Sequence, residues 1–574
     1  MLRSPLFTLP KPEDLRKLTD TVLLGIAGAG AALLFGWLLR ISQNLFLVRL
    51  AGYVMPSLDN TNVVHPGSIG PHGLWLIPIS TTLGGLLSGM LVYTFAPEAE
   101  GHGTDTVVAA FHRTAGVIRA RVAPLKMVAS ALTIGSGGSA GREGPTALIT
   151  AGFGSIYGGL LKRNEQERRF LIIVGMAAGL SAVFRSPIGS AMFAVEVLYS
   201  SMEFESSLLL YTMLASVIAY AINGIFVGLH PLFAVPASLQ EPANRAYGWF
   251  ALLGLACGIV ATALPVVFYK VRDWFRLLPV PLIFRPAIGG LAVGLLALRW
   301  PQLLGGGYGW MQMAINGDII LKLALLLAVL KILALSLTVS SGGSGGVFAP
   351  SMYVGAMIGA SIGLMLHLPP AAFAVVGMAA LFGAAARVPF ATLLMVVEMT
   401  GGYQLLVPAG LAVVIAYMVE GTLSAPFRHK SLYEAQVPTP AQSAAHYADS
   451  IRNALSLISD KQLHYPQLGS VELLDLLQTG ISLDMGGGQQ LYTAVVTEAS
   501  PLVGKTLMEI STNLIHEPWK VLGIFREEEG FISPGGGTVM GANDRMLVVC
   551  SPQVLDTLAS QLVFRASGVP APVV

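Results

Sequence analysis

Apolar residues do not alternate with polar ones along most of this chain; they run together. Thr21–Leu39 has 19 residues without Asp, Glu, Lys or Arg, Ala246–Tyr269 has 24, and Ile332–Ala386 has 55. Stretches of this length cross a bilayer as helices, and about ten or more of them, many short or interrupted, are predicted on the usual ~20-residue rule. The longest run is cut by Gly342–Gly346, Pro350, Pro369 and Pro370. Non-helical backbone at membrane depth is tolerated only inside protein or beside a watery cavity. The pattern therefore predicts an all-α polytopic membrane fold with broken helices over residues 1–436. From Gln489 it changes to short β-like runs at Leu491–Val496, Val521–Phe525 and Met546–Cys550, with turns at Gly530 and Gly535–Gly537. That predicts a small α+β domain over 489–574. Between them, 437–488 reads as a linker (Val437–Ala445) followed by helical spacing over Asp449–Asp484.

The membrane part repeats itself. Gly175-Met-Ala-Ala178 recurs as Gly377-Met-Ala-Ala380, and at the same offset Arg185, Pro187 and Val195-Glu196 recur as Arg387, Pro389 and Val397-Glu398. The segment Ser136–Pro145 recurs as Ser341–Pro350 with six of ten positions identical. Two halves with broken helices at corresponding positions predict a transporter-like architecture with a substrate site at the repeat interface, near the bilayer midplane.

Composition narrows the class. Only 11% of the 574 residues are charged and 54% are hydrophobic, against about 25% charged in soluble domains. An ordinary soluble enzyme is excluded, and so is disorder. The charge divides unevenly: residues 1–430 carry 27 basic and 18 acidic side chains, a net of +9, and residues 431–574 carry 7 and 14, a net of −7. The acidic tail reads as water-soluble, and this balance argues against a nucleic-acid partner. Cys257 and Cys550 are too far apart in kind to suggest a disulfide or a metal site. No cleavable signal peptide is apparent. Lys11, Arg16 and Lys17, and the basic stretch 162–169, favour the cytoplasmic side. Both termini are expected there, in a plasma (inner) membrane protein.

The glycine-rich loops carry the chemistry. Each leads through Pro145 or Pro350 into an apolar helix, and proline is favoured in a first helical turn. The loops therefore present free N–H groups at helix N-termini, which carry about half a positive charge and bind anions. Two such loops, one per repeat, suit one small anion. Glu143 lies inside the first loop, and a carboxylate inside a membrane is a functional candidate by default; it can compete with the anion and leave when protonated. A structural pair with Arg142 is the other reading. The loops also contain Gly-x-Ser-x-Gly twice, around Ser139 and Ser344, so an intramembrane serine protease is a rival class that would need a histidine (His102, His112, His230 or His367) on one of those serines.

These residues resemble the CLC family of chloride channels and chloride/proton antiporters, over about residues 15–436. Gly141-Arg-Glu-Gly-Pro145 is similar to the family's gating-glutamate motif, Gly345–Pro350 to its second anion-site motif, Gly101-His-Gly-Thr-Asp105 to its first glycine loop, and Tyr433 to its anion-coordinating tyrosine. The resemblance implies a helical fold of two inverted repeats and a non-enzymatic transporter of chloride or another small anion, needing no cofactor or metal, as a homodimer in the lipid bilayer with one pore per subunit. Glu143 would be the gate. Val347, Phe348 and the Tyr433 hydroxyl would hold a central anion, and backbone around Arg142–Gly144 an outer one. His102 stands where the family has serine; it either donates to the anion or points away. Val197 stands where antiporters carry an internal proton glutamate, which implies a channel, with an antiporter as the alternative and Glu196 as a substitute proton relay. Residues 489–566 resemble the C-terminal subdomain of RCK/TrkA regulators, whose ligands include cyclic dinucleotides such as c-di-AMP. This domain is expected either to gate by ligand or to stabilise a dimer.

Overall fold

The computed structural model describes residues 12–58, 64–236, 246–427, 431–440 and 443, and in the tail 483–486, 489–496, 500–513, 519–526, 530–532, 534–551 and 564–566. The chain divides into two compact units, Met1–Ala445 and His446–Val574.

The first unit is a helical bundle. Its first half comprises α1 (Pro12–Gln43, continuing as a π-helix over Asn44–Leu50), α2 (Ile77–Phe95), α3 (Thr104–Arg113), α4 (Val122–Gly135), α5 (Glu143–Leu160), α6 (Glu165–Phe184), α7 (Pro187–Glu196) and α8 (Ser206–Val227). The second comprises α9 (Tyr247–Leu277), α10 (Arg285–Ala297), α11 (Tyr308–Asn316), α12 (Leu321–Val339), α13 (Phe348–Met365), α14 (Pro370–Ala385), α15 (Pro389–Thr400) and α16 (Leu406–Leu423). Among the described residues seven helices are long and apolar enough to span a membrane, and four shorter apolar ones run 10–17 residues. Seven and four together agree with the expected ten or more stretches, many of them short or interrupted. The broken helices meet at the glycine loops deep inside the bundle, where α5 and α13 begin and α4 and α12 end.

Burial follows from this arrangement. α13 and α14 are buried nearly throughout, so they read as apolar on every side. Glycine lets them touch: a Cβ on Gly359 would overlap the Phe373 carbonyl, and one on Gly377 would overlap that of Gly355. The basic stretch 162–169 forms the turn after α5 and the first residues of α6, which starts on a capping box between Asn164 and Glu167.

The connector after α16 is not free of the bundle. Val437 pairs with Tyr199, the Ser200 N–H donates to the Val437 carbonyl at 2.9 Å, and Ser443 is buried against His112. The His112 Nε2 lies 3.0 Å from the Leu198 carbonyl and Nδ1 2.7 Å from Ser443 Oγ. A carbonyl only accepts, so Nε2 carries the proton and Nδ1 accepts from the serine.

The second unit is a small α+β fold. A six-stranded antiparallel sheet has the order β10-β6-β9-β7-β8, with β5 pairing β6 outside that path. Its strands are β5 (Leu483–Gly486), β6 (Gln489–Val496), β7 (Lys520–Arg526), β8 (Gly530–Ile532), β9 (Arg545–Cys550) and β10 (Phe564–Ala566); β1 to β4 are two-residue strands between α1 and α2. One helix, α17 (Leu507–Asn513), is started by Thr506 and Glu509, which exchange side-chain and backbone hydrogen bonds. The three strands expected from alternation are present within a residue or two. The helical reading of 449–484 lies outside the described residues up to 482, and its last two positions belong to β5.

Candidate anion site

The two glycine-rich loops meet at the centre of the bundle. The Gly141 N–H donates to the Gly346 carbonyl at 2.8 Å, and the Gly346 N–H returns the bond at 2.7 Å. This antiparallel bridge sets the first turns of α5 and α13 beside each other. Neither Arg142 nor Val347, the residues preceding the helices, caps its helix with a side chain. The first-turn N–H groups therefore remain available, as an anion site at a helix end requires. Gly137 and Gly342 turn the loops at φ 110° and 98°, which only glycine adopts without strain.

Glu143 opens α5 and is fully buried, and its two carboxylate oxygens close no hydrogen bond of proper geometry. The carboxylate lies beside Gly141 and the amide of Ala349, where a Cβ on Gly141 would run into it. The neighbouring Arg142 turns elsewhere. Its guanidinium lies 5.2 Å from the centre of the Tyr308 ring and reaches the Val183 carbonyl at 3.4 Å. The two adjacent charges are not joined by a hydrogen bond.

A third helix end converges on the same place. The loop Gly101-His102-Gly103 leads into α3, with Gly101 and Gly103 at φ 70° and 86°. The His102 carbonyl packs against Gly144 so closely that any side chain there would strike it, and the Gly345 N–H donates to the Gly101 carbonyl at 3.1 Å. The His102 ring is buried, with Nδ1 unpartnered, and meets the Tyr433 ring edge-on at 5.3 Å. The Tyr433 hydroxyl lies by Thr104 in the first turn of α3. Phe348 closes the other side, 4.3 Å from Phe184 and 4.1 Å from Phe382 between ring centres. His102, Glu143, Gly144, Val347, Phe348 and Tyr433 are thus brought together from four separate stretches of chain.

Glu196 is placed differently. Its carboxylate accepts the N–H groups of Phe390 at 3.1 Å and Ala391 at 2.6 Å, at the start of α15. Glu398 does the same for α7, accepting from Ile188 at 3.2 Å, Gly189 at 2.9 Å and the Ser186 hydroxyl at 2.5 Å. Val197 beside Glu196 is fully buried and apolar. As for a serine nucleophile, Ser139 Oγ has no hydrogen-bond partner, and Ser344 Oγ bonds Ser130 Oγ and the Ala99 carbonyl. Among the described residues no histidine hydrogen-bonds either serine.

Comparison with known proteins agrees with this geometry. Residues 84–421 match the voltage gated chloride channel family. A putative chloride channel protein ClcB-like of Ralstonia nicotianae is 30% identical over 419 residues, covering 70% of this chain and 93% of its own. The chain belongs to the CLC family. It transports anions and is a polytopic membrane protein. The H(+)/Cl(-) exchange transporter ClcA of Salmonella arizonae is also 30% identical, over 59% of this chain and 75% of its own. The same fold occurs in a slow cyanobacterial Cl-/H+ antiporter (TM-score 0.62, 24% identity, 73% of this chain and 96% of that one) and a CLC-type fluoride/proton antiporter (0.63, 23%, 75% and 100%). Residues 491–563 match the TrkA-C domain.

Two buried residues of this CLC unit escaped the sequence reading. Lys126 and Lys331 are both completely buried. Lys126 Nζ donates to the carbonyls of Ala99 at 2.9 Å and Gly101 at 2.6 Å, and Lys331 Nζ to those of Leu303 at 2.8 Å and Gly305 at 2.7 Å. Each lysine pins the glycine loop that starts α3 or α11. The signal was present: the lysines are separated by the same offset as the two glycine-rich loops, and Gly101 and Gly103 have counterparts in Gly305 and Gly307.

Proposed function

We propose that this protein exchanges chloride for protons, with Glu143 as the gate. One observation carries the reading: the Glu143 carboxylate, buried and without a hydrogen-bond partner, sits at the place where unpaired helix N-termini make an anion welcome. In this state the carboxylate occupies the outer anion position. Protonation removes its charge, and an incoming chloride takes the place. The anion then rests between the Val347 and Phe348 amides, the Tyr433 hydroxyl and His102. The relatives named as exchange transporters support coupling to protons.

A specific observation favours a channel as the second reading. Val197 offers no proton site, and Glu196 has both carboxylate oxygens committed to α15. Both readings take the protein as a homodimer in the plasma membrane with its termini in the cytoplasm. The TrkA-C region is read as a regulatory module for a small ligand of the cyclic dinucleotide class, such as c-di-AMP, to be tested by melting the full chain with a nucleotide panel, since a bound ligand raises stability by mass action.

The deciding experiment is a proteoliposome assay with an outward chloride gradient and an internal pH probe. Exchange predicts that chloride leaving drives protons inward against their gradient, and that Glu143→Ala abolishes proton movement while chloride flux persists. Chloride flux with no proton movement in the wild type leaves the channel reading.

A further inference from the structure

The exchange reading leaves the inner end of the proton route without a residue. Val197 carries no proton. Of the other carboxylates inside the membrane unit, Glu196 and Glu398 cap α15 and α7, and Glu420 is paired with Arg387. A proton passing between Glu143 and the cytoplasm needs another carboxyl on the inner side of the anion site. The helix α3 supplies one. Its start lies against the anion site, since a Cβ on Gly103 would strike the Gly144 carbonyl. The chain just beyond its end lies against the basic stretch 162–169, since a Cβ on Gly116 would strike the backbone of Arg168 and Arg169. Basic loops mark the cytoplasmic side, so α3 runs from the anion site to the cytoplasmic boundary.

Asp105 stands in the first turn of α3, next to Thr104, by which the Tyr433 hydroxyl lies. Its Oδ1 accepts the Ala435 N–H at 2.7 Å. The Tyr433 hydroxyl lies in the fields of two carboxylates, those of Asp105 and Glu143, so the two acids share one neighbour. Solvent reaches this place through Glu434, which precedes Ala435 and has a side chain 45% exposed. Glu434 pairs with Arg272 of α9 at 2.7 Å, and that guanidinium lies 4.3 Å from the centre of the Tyr269 ring. The charged and titratable groups that face Asp105 are thus Arg113 on its own helix, Tyr433 and Glu434 after α16, and Tyr269 and Arg272 on α9. Two amide hydrogen bonds hold a carboxylate in its charged form, as at Glu196; a single one does so less, and a like charge such as Glu434 opposes it. Of the two cations, Arg272 is engaged by Glu434, and Arg113 is exposed, where water and salt screen it.

We propose that Asp105 is the inner proton carrier of the exchange cycle, taking a proton from cytoplasmic water beside Glu434 and passing it to Glu143. The inference rests on the exchange reading given above. In each transfer one O–H bond breaks on Asp105 and one forms on Glu143, so Asp105 returns to carboxylate as Glu143 becomes the neutral acid that yields its place to chloride. The same transfer in reverse carries protons inward.

The experiment reconstitutes the full chain in liposomes under an outward chloride gradient and records chloride efflux and internal pH together, so that the readout is protons moved per chloride. Asp105→Asn keeps an oxygen for the Ala435 N–H and loses the titratable proton; Asp105→Glu keeps both. The expected result is coupled movement in the wild type, a fall of at least about tenfold in protons per chloride in Asp105→Asn with chloride flux persisting, the low side of what a positioned acid–base group contributes, and a partial return in Asp105→Glu. A wild type that couples beside an Asp105→Asn that couples equally overturns this inference and leaves the exchange reading standing. A wild type that moves no protons overturns both. Loss of chloride flux together with proton movement in Asp105→Asn makes the residue a structural cap for Ala435 and also overturns the proposal.

Discussion

Glu196 caps the helix that carries Glu398, and Glu398 caps the helix that carries Glu196. The bonds cross between the two halves of the membrane unit, so α7 and α15 hold each other by their N-termini. A carboxylate at such a place meets both the free N–H groups and the positive end of the helix. Removing it leaves two first-turn amides without their acceptor, at up to about 1–3 kcal/mol each. Glu196→Ala and Glu398→Ala are therefore expected to destabilise the chain by similar amounts, about 2–5 kcal/mol, read as matching losses of melting temperature. Glu196→Gln keeps one acceptor and loses less. If Glu196→Gln abolishes proton movement in liposomes at unchanged stability, the residue relays protons rather than caps.

Gly144 has no room for a side chain, because the His102 carbonyl lies against it. Gly144→Ala is expected to push the α3 loop away from α5 and to reduce anion flux at least tenfold, with the protein still folded by size-exclusion and melting criteria. Normal flux would show that the loop's place is not part of the anion pathway.

His102 presents an unpartnered ring nitrogen beside Tyr433. If that nitrogen donates to the anion, its loss costs one hydrogen bond, about 0.5–1.5 kcal/mol, or roughly two- to tenfold in affinity. Isothermal titration should find chloride binding weakened by this factor in His102→Ala and mostly restored in His102→Ser, which returns a donor. Identical affinity in all three would mean that the ring points away from the anion.

Lys126 and Lys331 occupy equivalent places, yet only Lys126 borders the His102 loop. Lys126→Met and Lys331→Met each lose two charge-assisted hydrogen bonds and leave carbonyls unsatisfied, so both are expected to cost about 3 kcal/mol or more in stability. Chloride affinity should fall further in Lys126→Met. An equal effect on binding would place the influence in long-range charge rather than in the loop.

In the tail, Asp544 is buried between Arg526 and the Gly541 N–H, with Nε to Oδ1 at 2.8 Å and Nη2 to Oδ2 at 2.9 Å. Burial pushes its carboxyl up, but the hydrogen bonds from Arg526 and Gly541 outweigh it and hold the carboxyl below the ordinary aspartate value. A carboxyl depressed in the folded state contributes stability that is complete above its unfolded value, near 3.9, and is lost as pH falls through the folded one. Melting of the tail in the full chain should therefore weaken below about pH 4, and Arg526→Gln should flatten that dependence while lowering stability at neutral pH.

The candidate anion site was largely legible in the sequence because its signals are local. Glycines that bend the loops, prolines that start the helices and the intramembrane Glu143 stand within ten residues of one another. The inner wall was less so. Tyr433 is far from both loops in sequence, and only its family motif pointed to it. The buried lysines were passed over because a lysine between apolar stretches reads as the edge of a span, when here it reaches inward to backbone carbonyls. Glu196 shows a different gap. The repeat gave it a partner position in Glu398, but not that the two helices face each other and trade caps. In the tail, alternation marked the strands, as it does where one face of a sheet is wet.

The Gly141–Gly346 bridge is made of main chain alone, and neither glycine has room for a Cβ. Between the bridging glycines and the matching prolines, the two copies read Arg-Glu-Gly and Val-Phe-Ala. A symmetric frame thus carries two dissimilar inserts: one half supplies charged side chains, the other apolar ones. Three residues of difference break the symmetry of a joint that is the same from either side.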